Sequence, residues 1–358
     1  MSIWYVLLAI FVFGLLIFIH EFGHFMCARL CKVDIKEFSI GMGPKIIQWH
    51  SKKYDTDYSL RLLPIGGYVS MVGEDEDSDS ENSFNKKSVW KRLLIVSAGP
   101  ILNLLLGFMV MMIMLCVQGK LYSNTIYYYN TQTNSHITEI ENITSQDNAV
   151  QLTLMSGDRV IKVGNVSVHT WGDLSYEITN QGYKPVDITV IRDGKTIKIE
   201  NYEFRKEKDP QSGAQFGRVD FSPGIETFSF SNLIKHSFFR SISTVKMVVD
   251  SFVGLLSGRF GVESMAGPVG VTQTISTFAS HGLIYFLYIF VIITINLGVF
   301  NLIPFPALDG GRILFLLIEA ISHKKLNPKV EGYINFFGLM FMFLLAIFVT
   351  FNDILRLF

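Results

Sequence analysis

The chain has 358 residues, of which 49% are hydrophobic and only 17% charged, with 30 Phe and 13 Met. That balance excludes an ordinary soluble globule. Lys plus Arg equals Asp plus Glu at 31 each, so no net charge draws nucleic acid, which is not expected as a partner.

Four segments are long and apolar enough to cross the roughly 30 Å hydrocarbon layer, which takes about 20 helical residues. They are about 3–29, 93–117, 283–311 and 333–351. The first 19 residues carry no charge, no basic leader and no small-residue cleavage site, so they read as a retained anchor rather than a signal peptide.

This first segment runs on through HEFGHFMCARL, which places ionisable groups inside a helix that begins as a membrane span. His20 and His24 lie one turn apart on one helical face, so both imidazoles can hold one zinc ion while Glu21 serves as general base. The bland alternative is a surface histidine pair. In hydrocarbon, however, such groups cost several kcal/mol unless they are paired or metal-bound, which favours the metal.

Between the first two spans lie many Lys and Arg residues, from Arg29, Lys32 and Lys36 to Lys91 and Arg92, which by the positive-inside rule places the 30–92 loop in the cytoplasm. Arg312, Lys324, Lys325 and Lys329 mark a second cytoplasmic loop. Both termini and the 120–280 region then lie outside. Within the first loop, YSLRLLPIGGYVSMV (58–72) predicts a hairpin of two short strands around Pro64-Ile65-Gly66-Gly67. The acidic tract after it, Glu74, Asp75, Glu76, Asp77, Asp79 and Glu81, reads as a solvated loop, with gating as the alternative.

Residues 137–206 alternate β-rich runs with Gly, Asn and Asp turns around one helix-like stretch, WGDLSYEITNQ, the pattern of a small soluble α+β domain. Residues 228–257 carry Leu233, Ile234, Phe238, Ile242, Val249 and Leu256 at helical spacing. They predict an amphipathic helix on the membrane surface. Cys27, Cys31 and Cys116 are the only cysteines and lie in or beside apolar runs, so no disulfide framework is expected.

A catalytic zinc takes three protein ligands and leaves one position open. Cys27 is seven residues from His20, about 10.5 Å along a helix, too far to share an ion. None of the six other histidines lies within a span. Asp309 ends the otherwise charge-free third span, at the same cytoplasmic depth as His20. Its alternative is a helix cap or a partner for Arg312. Pro304 and Pro306 interrupt the helix just before it.

These motifs resemble the site-2 protease family of intramembrane metalloproteases (peptidase M50), in its bacterial branch typified by the regulator of sigma-E protease. The resemblance rests on HEFGH, FSIGMGPK (38–45), LRLLPIGGYVSMVGE (60–74), SAGPILN (97–103), GPVGV (267–271) and NLIPFPALDGG (301–311), in that order. It implies a Zn2+ cofactor held by His20, His24 and Asp309, Glu21 as catalytic base, a re-entrant β-loop at 58–72, and Asn301 handling substrate. It also implies a PDZ domain between the second and third spans. MSGDRVIKVGNVSVHTWGDL (155–174) is similar to the later part of one, although no clean GLGF-like loop precedes Gly157. Only one such domain fits, as in the single-PDZ subgroup.

The expected fold is thus a multi-pass α-helical membrane protein of about four transmembrane helices, with a cytoplasmic or re-entrant β-hairpin and an inserted extracytoplasmic α+β PDZ-like domain. Its parts are 1–119 with the zinc helix and hairpin, 120–206 PDZ-like, 207–282 a linker with the amphipathic helix, and 283–358 with the last two spans. The expected location is the inner or plasma membrane, with the active site towards the cytoplasm. The expected partners are the lipid bilayer and single-pass membrane proteins, such as anti-sigma factors, or signal-peptide remnants. In the expected mechanism the hairpin unwinds substrate by adding it as a strand, with Gly66 and Gly67 shaping the turn. Asn301 or Asn103 steadies the substrate or oxyanion, and Asn103 has helix-to-helix bonding as its alternative. Two rival readings are a non-catalytic scaffold and a zincin whose third ligand is Glu319 or Glu331.

Overall fold

The computed structural model describes residues 3–74, 78–128, 153–208, 213–261, 265–324 and 327–356. In chain order the elements are α1 (Ile3–Leu30), β1 (Ile35–Ser51), β2 (Thr56–Met71), α2 (Val89–Gln118), β3 (Leu121–Tyr127), β4 (Arg159–Val163), β5 (Val166–Ser167), α3 (Trp171–Gln181), β6 (Val186–Arg192), β7 (Lys195–Tyr202), β8 (Lys206–Lys208), β9 (Gln215–Gly217), β10 (Ser222–Glu226), α4 (Phe230–Leu256), α5 (Pro268–Ser280), α6 (Leu283–Leu302), α7 (Asp309–Ser322) and α8 (Pro328–Leu355). The chain divides into two compact units, residues 1–110 with 265–358, and residues 111–264.

Four helices are long and apolar enough to cross a membrane: Ile3–Leu30, Val89–Gln118, Leu283–Leu302 and Lys329–Leu355. The chain is therefore a multi-pass membrane protein that also carries β-sheets. On α8, Phe336, Phe337, Leu339, Phe341, Phe343 and Leu344 are all exposed, as a lipid-facing helix requires. Because lipid is as apolar as leucine, such helices associate through close backbone packing at small residues. A Cβ on Gly23 of α1 would stand 2.5 Å from the Ala98 carbonyl oxygen of α2, and one on Gly298 of α6 would stand 3.1 Å from the Pro100 carbonyl oxygen. Ala9, Val12 and Leu16 of α1 pack with Ile275 of α5 and Phe290 of α6 in one core. Cys27, Ala28, Val33, Met71, Ile95 and Leu316 form a second core.

The third span is shorter than the expected 283–311. Helix α6 stops at Leu302 and its cap Ile303 turns extended, with ψ 134°. Pro304 and Pro306 lack an N–H and disfavour a helical residue before them, which accounts for the break. The chain folds back tightly enough that a Cβ on Gly310 would meet the Ile303 carbonyl oxygen at 2.1 Å, and one on Gly311 the Phe305 oxygen at 2.4 Å. Asp309 is therefore the first residue of a new helix, α7.

The hairpin also differs from expectation. The closing turn lies between Ser51 and Thr56, not at Pro64–Gly67. Gly41 and Gly43 (φ 84° and 85°) bend β1, and Gly66 (φ 87°) bends β2, conformations that glycine alone adopts without strain. Each strand thus has two limbs, and Glu37 to Ile40 have partners on both sides: Asp57 to Leu60, and Ser70 to Gly67. The two apolar stretches flanking Pro64–Gly67 are real, but they pair with β1 rather than with each other. Glu74 is not a solvated acid either, since it pairs with Arg312 of α7. Asp75, Glu76 and Asp77 lie outside the described residues.

In the first unit, Gly270 N–H at the start of α5 donates to the buried carboxylate of Asp353 on α8, at 2.7 Å. This helix falls within the stretch expected as linker.

The second unit is a sheet in the order β10-β3-β4-β6-β7, with β5 pairing β4. Val160, Val163, Ile188, Val190 and Ile199 from its strands pack on Leu174 and Ile178 of α3. A Thr170–Asp173 capping box starts α3. Strand β10 lies past the expected boundary at residue 206 yet completes this same sheet through β3. Helix α4 buries Leu233 and Val248 while Ile234, Phe238, Ile242, Val249 and Leu256 stay exposed. The stretch before Gly157, where the sequence shows no clean GLGF-like loop, lies mostly outside the described residues.

Candidate metal centre

His20 and His24 project from the C-terminal part of α1 and are both buried. Helix α2 crosses there at Gly99, where a Cβ would fall 2.3 Å from His24 Nε2 and 2.9 Å from His20 Cε1. Only a residue without a side chain leaves both imidazoles room. His24 Nδ1 lies 2.9 Å from the Ile95 carbonyl oxygen, an acceptor that holds the proton on Nδ1 and leaves Nε2 as a bare lone pair.

Asp309 enters from the start of α7. Its Oδ2 lies 3.0 Å from His20 Nε2 and 3.4 Å from His24 Nε2, and the two Nε2 atoms are 3.2 Å apart. Four ligands set tetrahedrally at zinc bonds of about 2.0–2.1 Å stand about 3.3–3.4 Å from one another. The observed edges, 3.0, 3.2 and 3.4 Å, come within about 0.3 Å of that spacing. Asp309 Oδ2 is buried and makes no hydrogen bond, an orphan that a cation among the three donors would satisfy. These are the only three donors among the described residues that come together in this way, and they fit zinc.

Glu21 is held beside them. Its Oε2 accepts from the Val69 N–H of β2 at 3.2 Å. Gly67, whose Cβ would fall 2.8 Å from the Ser39 carbonyl oxygen and 3.5 Å from Glu21 Cγ, lets the strand come this close. Asn103 is fully buried and lies 3.3 Å from His20 Nδ1. Asn301 sits half-buried in the last turn of α6, before the break that leads to Asp309. Cys27 packs in an apolar core away from the cluster. Of the rival third ligands, Glu319 is paired with Arg92 at 2.5 Å, and Glu331 lies in the first turn of α8.

Sequence reasoning did not assign roles to Gly99, to the Ile95 carbonyl or to the Val69 N–H. The SAGP run was the available signal for Gly99. The other two are backbone groups and carry none.

The membrane helices and the buried two-histidine, one-carboxylate cluster define an integral membrane metalloenzyme. Residues 8–345 match peptidase family M50. A Clostridium acetobutylicum protein named as a zinc metalloprotease is 33% identical over 356 residues, 99% of this chain and 98% of its own length. One from Fusobacterium nucleatum, similarly named, is 31% identical, covering 98% and 99%. The regulator of sigma-W protease RasP of Bacillus subtilis is 27% identical, covering 98% of both chains. The chain belongs to peptidase family M50, in keeping with the resemblance its motifs carry.

Proposed function

We propose that this zinc metalloprotease hydrolyses peptide bonds in or beside the transmembrane segments of membrane-anchored substrates, with His20, His24 and Asp309 holding zinc and Glu21 as the base. The observation that carries the reading is the triangle of two Nε2 atoms and one carboxylate oxygen, placed within apolar helices. When bound, zinc polarises the scissile carbonyl and acidifies water. Glu21 takes a proton from the attacking water on its carboxylate and gives it to the leaving amide nitrogen. Asp309 supplies the negative charge that makes a dication tolerable at this depth.

A substrate helix hides its carbonyls in its own hydrogen bonds and has to be unwound first. Residues 67–71 pair with β1 along one side, and a substrate strand adds along the other, with Gly66 and Gly67 shaping the bend that leads into this edge. Asn301, at the helix break next to Asp309, steadies the extended segment. Exposed Met42, Ile46, Ile47, Trp49, Leu62 and Leu63 support a hairpin dipped into the membrane face.

The Lys and Arg residues of the 30–92 loop support an active site towards the cytoplasm and the inserted PDZ-like domain outside. There it acts as a size filter against untrimmed substrates. The name of the Bacillus subtilis relative, regulator of sigma-W protease, supports a sigma-factor regulator as the substrate class, with signal-peptide remnants as the second.

The test is Glu21→Gln in membranes that hold an anchored reporter. Cleavage should stop while bound zinc and thermal unfolding stay as in the unsubstituted chain. Continued cleavage removes Glu21 from the mechanism.

A further inference from the structure

We propose that Asn103 is a positioning residue for His20: its side-chain carbonyl accepts the proton of His20 Nδ1 and so turns Nε2 into a bare lone pair for the metal. The inference rests on the zinc reading above and deepens it.

The two histidines face the same requirement. Each must carry its ring proton on Nδ1, because Nε2 is the atom that points at Asp309 Oδ2. For His24 the acceptor is the backbone carbonyl of Ile95, 2.9 Å from Nδ1. The described hydrogen bonds of His20 Nδ1 run to one group only, the amide of Asn103 at 3.3 Å. Metal-bound histidines almost always donate the other ring proton to a carbonyl, a carboxylate or water. Among the described residues, the Asn103 amide fills that place.

The orientation of this amide decides the tautomer. With Nδ2 towards the ring, the amide donates, the proton moves to Nε2, and that proton occupies the metal's side of the imidazole. In that orientation Asn103 Oδ1 is buried without a described hydrogen bond, so whichever end the amide presents, its one described partner is the His20 ring. The two ends of an asparagine amide have the same shape and are assigned from the surrounding bonds. Turning the amide over brings Oδ1 to the Nδ1 proton and clears Nε2 at once.

Two variants of the full-length chain in detergent test the proposal. Asn103→Leu keeps the size and removes the acceptor. Asn103→Asp keeps the acceptor and removes the donor. Zinc affinity is measured by competition with a chelator, and the cobalt-substituted absorption spectrum reports the ligand field. Asn103→Leu should bind zinc about 10–100-fold more weakly, the usual loss for an outer partner of a metal histidine, with an altered cobalt spectrum. Asn103→Asp should bind at least as tightly as the unsubstituted chain, since a carboxylate can only accept.

A packing role predicts the reverse order, because leucine suits an apolar site and a buried charge does not. Unchanged affinity in Asn103→Leu, or equal loss in both variants, overturns the proposal. Should Asn103→Leu fail to fold, zinc retention in Asn103→Asp decides alone. An unsubstituted chain that holds no zinc would bring down the zinc reading itself, and this inference with it.

Discussion

Gly99 is a residue whose missing side chain carries the chemistry. A methyl there cannot coexist with imidazoles whose nearest atoms lie 2.3 and 2.9 Å from its position. Gly99→Ala should therefore lower zinc affinity by at least about 10–100-fold, since it displaces ligands and not only their supports. Gly107→Ala, on the same helix, presses only on the Ile295 side chain and should keep its zinc. Metal content of the two purified variants checks the contrast, and equal zinc in both would mean that α1 and α2 part without disturbing the ligands. His20, Glu21, His24 and Asp309 were readable as a set because ionisable groups in charge-free helices demand a reason. Gly99 and the Val69 N–H were not. One works by an absence and the other by its backbone, and both depend on a partner far away in sequence.

At the scale of the element, the β1–β2 hairpin shows where pattern reading stops. Its apolar stretches were legible, but Gly66-Gly67 looked like a turn because glycine pairs usually mark one. The actual turn, Lys52-Lys53-Tyr54-Asp55, contains no glycine, and Asp55 takes the left-handed conformation at φ 48°. In the same way, the absence of charge to residue 308 set the third span too long, although Pro304 and Pro306 marked the break that ends α6 at Leu302. Gly41 should prove the most sensitive bend. It combines φ 84° with a Cβ position 2.5 Å from the Leu63 carbonyl oxygen, and the conformation alone costs a side chain about 1–2 kcal/mol. Gly41→Ala is expected to speed hydrogen exchange across residues 35–71 and slow cleavage while zinc stays bound, because the ligands lie on other elements.

The hairpin also carries a pH signature. Burial by itself would raise the Glu37 carboxyl, but bonds from Ser59, Tyr68, Lys45 and Arg61 outweigh it and hold it near about 2, below the ordinary 4.5. A carboxyl lowered on folding contributes its full stability above the ordinary value and loses it as pH falls towards the folded one. Hairpin protection should thus weaken below about pH 4.5, and Glu37→Gln should remove that component of the pH dependence. A slope left unchanged by the substitution would assign the effect to other acids.

At the scale of the whole molecule, the groups that build the cluster share one unit. His20, Glu21, His24, Val69, Ile95, Gly99, Asn103 and Asp309 all belong to residues 1–110 or 265–358. The inserted unit has its own apolar core, centred on Val160, Leu174, Ile188 and Val190. Zinc binding is therefore expected not to need it, and the proposed size-filter role can be tested apart from the metal centre. Replacing residues 121–261 with a short Gly/Ser linker should leave zinc content and cleavage of a small anchored reporter close to those of the full chain. With the insert gone, a reporter bearing a bulky outer domain should be cut as readily as the trimmed one, whereas the full chain should spare it. If the full chain cuts both reporters equally, the size-filter role falls. If the replacement loses zinc, the insert supports the metal centre through contacts beyond those named above, and the division of labour between the two units has to be redrawn.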